Sequence, residues 1–281
     1  MYSYYKEFTG YPSAPSVLIL AGVHGNEIGT ISLAYDLIHT ISSKDLQFKN
    51  LSRIKIVPVV NQEGMRNQSR ELLDGSNDLN RNWDQSTYTI RDELLNLIND
   101  YDIILDLHCS EYCDSMFLLD SRMQKLSSII PVLNKCGIHY CIQTSHNATL
   151  KWYADSHNKI GLTWEQIGLN YLDEKVNAES LNIILDLLDN IHLMVESSDY
   201  AQEDEYPLAY SFQNKCEGLY LPIADVGAKI EKNYPLGEIR SMRLNKAIEY
   251  IRAKEDCIVI TQFHPQYIKK NQSGLITVQP I

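Results

Sequence analysis

The stretch SVLILAGVHGNEIGTISLAYDLIHTI, residues 16–41, decides the fold of this chain. Its first part, Ser16 to Leu20, is an apolar run that suits a buried strand, and its last part, Ile28 to Ile41, has the apolar spacing of a helix. Gly22 and Gly25 lie between the two and indicate a tight turn. The sequence therefore predicts a strand, a glycine-rich turn and a helix in succession.

The turn carries two side chains that can bind a metal. His24 and Glu27 are three residues apart where the turn becomes the helix, so both side chains can be aimed at one point. An imidazole nitrogen and a carboxylate are common ligands of zinc, which takes three or four protein ligands. This pattern indicates part of a metal site and a further ligand elsewhere in the chain.

His108 is the candidate for the third ligand. It follows Asp102 to Leu107 (DIILDL), an apolar run that predicts another strand, and it stands at the carboxyl end of that strand. In open α/β sheets, ligands bind outside the carboxyl ends of strands, so this histidine can meet the glycine-rich turn in one crevice. Two histidines and one carboxylate, with a fourth position for water, are typical of a catalytic zinc site. We therefore predict one zinc ion per chain on His24, Glu27 and His108, with Asp106 or a backbone carbonyl orienting one imidazole.

The first 200 residues alternate between strand-like and helix-like segments. This alternation predicts an α/β fold with a central, mostly parallel mixed sheet and helices on both faces. Further strands are predicted at Arg53 to Val60, His139 to Gln143 and Leu162 to Gln166, and further helices at Ser86 to Asp100, Met123 to Lys135, Leu150 to Lys159 and Ala178 to Val195.

The composition changes near residue 200. Glu196 to Pro207 (ESSDYAQEDEYP) is acidic and poor in apolar residues, which favours a linker. Short β-like runs with turn signals follow it, as expected of a small β domain. We therefore predict two domains, a zinc-hydrolase catalytic domain at residues 1–200 and a β-rich C-terminal domain at residues 201–281.

The chain has 281 residues and a formal charge of −11. This negative charge disfavours non-specific binding to nucleic acid or to an anionic membrane, so we expect neither as a partner. We find no signal peptide and no apolar run of membrane-spanning length, and the six scattered cysteines are interpreted as reduced thiols. These features lead us to expect a cytoplasmic protein that binds a small anionic substrate through local positive charge. The sequence leaves homo-oligomerisation open.

Three motifs, in this order, resemble the signatures of the zinc carboxypeptidase superfamily, and most closely those of its succinylglutamate desuccinylase/aspartoacylase branch. The resemblance covers most of Ser16 to Gly168, and the β-rich tail matches the extra C-terminal domain of that branch. It implies a zinc carboxypeptidase-like fold and zinc on the histidines and glutamate named above. The motifs are Gly22-Val23-His24-Gly25-Asn26-Glu27, Asn77-Asp78-Leu79-Asn80-Arg81-Asn82-Trp83 and Asp106-Leu107-His108-Cys109-Ser110.

The same resemblance implies roles for polar residues in the long connection from 61 to 83. It implies that Asn80 and Arg81 bind a substrate carboxylate, for which the planar guanidinium of arginine is well suited. It also implies an arginine upstream that polarises the scissile carbonyl. Arg70 matches that position, and Arg66 is the alternative, retained as a substrate-binding candidate.

The catalytic glutamate implied by the resemblance is Glu165, within Thr163-Trp164-Glu165-Gln166-Ile167-Gly168. Zinc lowers the pKa of a bound water towards about 7 and polarises an amide carbonyl. A glutamate beside it can take the proton of the water and pass it to the departing nitrogen. The residues therefore fit the hydrolysis of an amide bond.

Three interpretations of the function are compatible with these candidate site residues. The first is a zinc-dependent deacylase that cleaves an N-acyl amino acid or a similar small carboxylate-bearing substrate. The second is a zinc carboxypeptidase or amidase acting on peptides such as cell-wall fragments, which the run Asn80 to Trp83 favours. The third is a catalytically inactive relative that binds a metabolite or a partner, against which the intact set of zinc ligands and Glu165 argues. Release of free amine from N-acyl amino acids or from peptides distinguishes them.

Overall fold

A seven-stranded sheet forms the centre of the N-terminal part of the protein. The computed structural model describes residues 4–72, 78–81, 89–110, 115–143, 149–168, 172–196, 207–244 and 246–281. In chain order its first elements are β1 (Lys6–Thr9), β2 (Ser16–Ala21), α1 (Ile28–Ser43), β3 (Arg53–Val57), α2 (Gln62–Asn67), α3 (Thr89–Asn99), β4 (Ile103–Ser110), β5 (Met116–Asp120), α4 (Leu126–Lys135), β6 (Tyr140–Gln143), α5 (Leu150–Ser156), β7 (Ile160–Ile167), α6 (Glu174–Asn190) and α7 (Leu193–Glu196).

The strand order of this sheet is β1-β3-β2-β4-β7-β5-β6. Four adjacent strands, β3, β2, β4 and β7, run parallel, whereas β1 and β5 pair antiparallel to their neighbours β3 and β7. The predicted α/β class with a mostly parallel mixed sheet is therefore confirmed. In β2 and β4 nearly every residue is buried, as expected of strands that are covered on both faces.

Helices cover the two faces of this sheet. On one face, Leu18, Leu20 and Ile104 pack with apolar residues of α3 and α5 in one buried cluster. On the other face, α1 packs beside α6, and Gly29 of α1 lies against the side chains of Cys109 and Gln166. Alternate residues of a strand therefore pack against helices on opposite faces of the sheet. His108 lies on the same face of β4 as Ile104, the face covered by α3 and α5.

The described residues divide into two compact units, one within residues 4–140 and 149–196 and the other comprising residues 141–143 and 207–281. The strands of the second unit are β8 (Tyr210–Gln213), β9 (Gly218–Pro222), β10 (Lys229–Ile230), β11 (Pro235–Arg240), β12 (Ala247–Arg252), β13 (Cys257–Gln262), β14 (Gln266–Ile268) and β15 (Ser273–Pro280). They form two four-stranded antiparallel sheets, ordered β10-β13-β15-β8 and β12-β11-β9-β14, with one buried apolar core. This confirms the predicted β-rich C-terminal part.

The structure contains several elements that the sequence pattern did not predict. The connection after β3 includes the helix α2, and β1, β5, β12, β14 and β15 are further strands. Most of these are short, and a short apolar run has too few residues for its period to separate strand from helix. The predicted domain boundary at residues 200/201 and the predicted helix start at Ser86 lie outside the described residues. In the described part of the chain, every helix is too short or too polar to span a bilayer.

Candidate active site

The turn between β2 and α1 is fixed by close backbone contacts. Gly22 has a φ of +59°, a conformation that glycine adopts without strain, and its carbonyl accepts the N–H of Asn61 at 2.8 Å. A Cβ atom on Gly25 would lie 2.1 Å from the backbone of Gly64 in α2, so only glycine fits there. The side chain of Asn61 caps α2 by accepting the N–H of Gly64 at 2.8 Å. The turn that carries His24 is thus built against the start of α2.

Glu27 occupies the N-cap position of α1 without capping the helix through its side chain. Its carboxylate instead faces two histidines, with Oε1 2.6 Å from Nδ1 of His24 and Oε2 3.0 Å from Nδ1 of His108. The side chain is 1% exposed, and the positive end of the helix dipole favours a negative charge at this position. The fold therefore directs a buried carboxylate towards the histidines.

His108 reaches the same point from the neighbouring strand. β2 and β4 pair in parallel with Ala21, the last residue of β2, opposite Leu107. β4 continues to Ser110, so His108 lies within the strand rather than at its end, beside the turn that follows β2. The Nδ1 atoms of His24 and His108 are 3.1 Å apart, and both rings are about 2% exposed. One ligand atom from each of His24, Glu27 and His108 lies within 4.8 Å of the others, which is close enough for one metal ion to contact all three.

The outer nitrogen of each imidazole is held by a carboxylate. Nε2 of His24 is 2.8 Å from Oδ1 of Asp78, and Nε2 of His108 is 2.7 Å from Oδ2 of Asp106. A carboxylate only accepts hydrogen bonds, so each ring can donate a proton from Nε2 to its outer carboxylate. If a cation displaced any proton on the two Nδ1 atoms, their lone pairs and the carboxylate of Glu27 would all face it in this buried space. A carboxylate behind each ligating histidine is the arrangement found at protein metal sites.

The buried charged groups of the cluster shift the pKa of one another. Burial would raise the pKa of Glu27, but the adjacent His108 and His24 lower it to about 2, so the carboxylate stays ionised. Burial would lower the pKa of His108, but Asp106 and Glu27 raise it well above its usual range. Arg70 adds a positive charge beside Glu27 and Asp78, so charges of opposite sign are closely paired throughout the cluster.

Glu165 lies on β7 directly opposite His108 in the parallel pairing of β4 and β7. Neighbours in register point to the same face of a sheet, so the glutamate stands beside the metal-ligand cluster. Burial and the nearby charge of Glu27 raise its pKa to about 7, while His108 opposes that rise. A carboxyl group with a pKa near neutrality is suited to accept and return a proton.

The arginines predicted from the sequence occupy different positions. Arg70 donates from Nε and Nη2 to Oδ2 of Asp78 at 3.1 and 2.9 Å, and its Nη1 lies 3.7 Å from Oε1 of Glu27. Arg81 donates from Nη1 to the carbonyl of Asn80 at 2.7 Å. Arg66 is an exposed residue in the last turn of α2. The structure thus brings Arg70 to the edge of the cluster and gives no contact between Arg66 and the cluster among the described residues.

Asp78 is the residue of this site whose role the sequence reasoning missed. Its carboxylate joins His24 to Arg70, and it also accepts the N–H of Asn80 at 2.8 Å. The signal in the sequence was its position between Arg70 and Arg81, which gives the carboxylate an arginine on either side. Asp106, which we expected to orient an imidazole, does face His108.

Cys109 follows His108 but takes no part in the cluster. Its Sγ atom lies 3.8 Å from Oγ1 of Thr30, and burial raises the pKa of its thiol to about 12. A protonated, buried thiol is a packing group rather than a metal ligand. Five cysteines are free thiols in the described chain, namely Cys109, Cys136, Cys141, Cys216 and Cys257.

The fold and the site together define an α/β protein with a His-Glu-His cluster near the carboxyl ends of two adjacent parallel strands. The model of the succinylglutamate desuccinylase/aspartoacylase catalytic domain matches residues 13–193, which is most of the chain. The protein belongs to this family. It is therefore a member of a family of hydrolytic deacylases, as the three sequence motifs indicated.

Solved structures with the same fold cover nearly the whole chain. An aspartoacylase family protein from Mesorhizobium loti superposes with a TM-score of 0.74 at 18% identity, covering 99% of this chain and 88% of that one. The product-bound Ectoine utilization protein EutE from Ruegeria pomeroyi gives a TM-score of 0.72 at 19% identity, with the same coverage of 99% and 88%. A succinylglutamate desuccinylase/aspartoacylase from Rhodobacter sphaeroides gives 0.72 at 17% identity, covering 98% and 88%. The search of curated protein sequences gave no match.

Proposed function

We propose that this protein is a zinc-dependent deacylase that hydrolyses the amide bond of an N-acyl amino acid or a similar small carboxylate-bearing molecule. One observation carries the proposal. The Nδ1 atoms of His24 and His108 converge with the carboxylate of Glu27, while Asp78 and Asp106 hold the other nitrogen of each ring. This ligand set fits one zinc ion and leaves a position for water.

Glu165 is the proton carrier of the proposed reaction. A zinc ion held by His24, Glu27 and His108 would act as a Lewis acid and would lower the pKa of a bound water to near 7. Glu165 would take one proton from the attacking water and deliver it to the nitrogen that leaves, so that water and amide become a carboxylic acid and an amine. The acid then gives its proton to the amine, which leaves a carboxylate and an ammonium group. Its position opposite His108 and its pKa of about 7 support this role.

Arg70 is the candidate for polarising the scissile carbonyl. Its guanidinium lies beside Glu27 and is held by Asp78, which orients it at the edge of the cluster. Negative charge that develops on the carbonyl oxygen would be stabilised by such a fixed positive group. The side chain is 43% exposed, so a substrate can reach it.

Arg81 is the candidate for holding the carboxylate of the substrate. It adjoins the site through Asn80 and is 41% exposed. A guanidinium binds a carboxylate through two parallel hydrogen bonds, which also orients the substrate. Arg66 remains a predicted second contact for an anionic substrate. Local positive charge of this kind explains how a chain of net charge −11 would bind an anion.

The first experiment measures the metal. Elemental analysis of the purified protein should give one zinc per chain, and His24→Ala and His108→Ala should lose it. His139→Ala is the matched control, because His139 is exposed in the loop before β6 and has no part in the cluster. Full zinc retention in both ligand variants would reject the metal assignment.

The second experiment measures the substrate class. Release of free amine is followed with a panel of N-acyl amino acids, and with pentapeptides that bear the same acyl groups. The proposal expects turnover of the N-acyl amino acids and poor cleavage of the pentapeptides. If the pentapeptides are cleaved at least as efficiently, the peptidase reading, which the run Asn80 to Trp83 favours, becomes the better one.

A further inference from the structure

The hairpin of β11 and β12 in the C-terminal unit carries four exposed apolar side chains close together in the sequence. Met242 and Leu244 lie in its turn and are 69% and 63% exposed. Ile248 and Tyr250 follow in β12 and are 39% and 49% exposed. Apolar side chains that are exposed together mark an interaction surface, whereas single ones are ordinary. The hairpin is therefore a candidate docking surface.

Basic side chains alternate with these apolar residues. Arg243, Lys246 and Arg252 are exposed. Residues 242–252 contain these three basic residues and one acidic residue, Glu249, in a chain of net charge −11. The hairpin thus has the opposite charge to the chain as a whole. We refer to the seven exposed residues as the hairpin patch, namely Met242, Arg243, Leu244, Lys246, Ile248, Tyr250 and Arg252.

Contacts inside the C-terminal unit fix which side chains of β12 face outwards. Both oxygens of Glu249 accept the backbone N–H of Lys215, at 3.0 and 2.9 Å. Ile251 is 4% exposed and belongs to the apolar core of the unit. Because successive residues of a strand point to opposite faces, Tyr250 and Arg252 face away from that core. The acidic side chain is used inside the unit, and the basic ones are left on its surface.

The turn of the hairpin is held by Ser241. Its Oγ atom accepts the N–H groups of Arg243 and Leu244, both at 3.3 Å, and its own N–H donates to the carbonyl of Lys246 at 3.0 Å. A surface whose backbone is ordered in advance loses less conformational entropy when a partner binds. The turn therefore presents its apolar side chains in a fixed arrangement.

The composition of the patch favours a protein partner of opposite charge. Methionine, tyrosine and arginine are enriched at the centres of protein interfaces. The guanidinium of Arg252 lies 5.2 Å from the ring centre of Tyr250 and donates to the carbonyl of Asn233 at 2.9 Å, so it is oriented beside an apolar surface. A carboxylate that meets a guanidinium in such a place forms a strong, charge-assisted hydrogen bond.

Two other occupants suit these charges less well. In a symmetric dimer formed through the patch, Arg243 and Arg252 of one copy would face the same basic patch of the other copy, and like charges repel. An anionic membrane would attract the patch but repel the rest of a chain of net charge −11.

We propose that the hairpin patch binds an acidic segment of another protein, whose carboxylates face Arg243 and Arg252 and whose apolar side chains face Leu244 and Tyr250. This interaction is independent of the proposed deacylase activity, because the residues of the patch and those of the His24, Glu27 and His108 cluster are different.

The test measures binding of labelled peptides to the full-length protein by fluorescence anisotropy. The first peptide alternates glutamate with leucine and tyrosine, the second has lysine in place of glutamate, and the third has serine in place of leucine and tyrosine. The first should bind, with an affinity that falls as salt is added, because exposed charges are screened. The other two should bind at least about 10-fold more weakly, because each lacks either the charge or the apolar groups that the patch requires.

Variants show whether the peptide occupies the patch. Arg252→Glu and Leu244→Ser should each weaken binding of the first peptide by about 10-fold, the former through repulsion and the latter through lost apolar contact. Lys229→Glu is the matched control, because Lys229 is an exposed residue of β10 in the other sheet of the unit, and it should keep wild-type affinity. Thermal unfolding verifies that each variant is folded, and Leu244, in the exposed turn, serves if Arg252→Glu is not.

Several results would overturn the inference. One is failure of the first peptide to bind the wild type at concentrations up to about 1 mM. Another is equal affinity of the wild type and both patch variants, since the peptide would then bind elsewhere. A wild-type dimer that Leu244→Ser converts to a monomer would assign the patch to a second copy of the chain. Binding to phosphatidylserine vesicles that is lost in both patch variants would assign it to a membrane.

Discussion

Oδ1 of Asp78 lies 2.8 Å from Nε2 of His24, and the other oxygen of the same carboxylate accepts two hydrogen bonds from Arg70. One carboxylate therefore orients a metal-ligand candidate and the candidate for carbonyl polarisation. Asn80, two residues further on, donates its backbone N–H to the same Oδ1 atom. The connection after α2 is thus anchored to the site by Asp78.

Replacing Asp78 by Asn should disturb the orientation of His24 and that of Arg70 at the same time. The amide keeps the shape of the carboxylate but loses its charge, so we expect zinc affinity to fall by about 10- to 100-fold. We also expect kcat to fall further than metal loading explains, because Arg70 loses its partner. Zinc competition and steady-state kinetics at saturating zinc measure the two effects. Glu63→Gln, on the exposed side of α2, is the control and should change neither.

Arg70 lies at the edge of the cluster, so we favour it over Arg66, the other arginine that the sequence left as a candidate for polarising the carbonyl. Arg70→Gln should lower kcat by about 100- to 1000-fold, as removal of an oxyanion-stabilising group does, with zinc content unchanged. Arg66→Gln should lower kcat far less, because Arg66 is exposed at the end of α2. Kinetics of the two variants on one substrate decide between them. A larger loss in Arg66→Gln would reverse the assignment.

Glu165→Gln should keep zinc and the fold but lose most turnover, since glutamine cannot carry a proton. A loss of about 100- to 10,000-fold in kcat is expected for a general base and acid. Glu179→Gln, on the exposed side of α6, is the matched control and should retain wild-type turnover. Turnover of Glu165→Gln within a few-fold of wild type would show that another group moves the proton.

The close contact between Gly25 and Gly64 predicts a backbone effect on the metal site. An Ala at 25 would place Cβ 2.1 Å from backbone atoms of α2, so the turn that carries His24 must shift. We expect a loss of roughly 1–3 kcal/mol in the free energy of unfolding together with weaker zinc binding. Gly137→Ala is the control: at φ +66° it is also strained, but nothing lies within 4 Å, so stability should fall without loss of zinc affinity. Denaturant unfolding and zinc competition distinguish the two.

The sequence predicted the parts of the fold that have long, regular patterns. The buried strand β2, the helix α1 and the strand β4 follow from apolar runs and helical spacing, and the structure confirms them. The short helix α2 was missed because its apolar content is low. Its one local signal was Asn61, whose side chain caps the helix.

The candidate site was predictable only in part, for a physical reason. His24 and Glu27 are close in sequence, so local geometry suggests that they can bind the same metal ion. His108 joins them only because β2 and β4 are neighbours in the sheet. Other contacts around the site join residues that are far apart in the sequence. Asp78 contacts His24 across 54 residues, and the N–H of Leu150 binds the side chain of Asn80 across 70 residues. Periodicity and motif spacing carry no information about such pairs.

The pairing of β2 with β4 would also connect a bound metal to the lifetime of the protein. In the unfolded chain only His24 and Glu27 remain close together, so an ion would bind the native state far better than the unfolded one. Any ligand with that preference stabilises the folded chain in proportion to the logarithm of its concentration. A molecule that loses its ion would therefore open more often, and its degradation by proteases would rise when zinc is scarce. The abundance of the protein would then follow the supply of the metal.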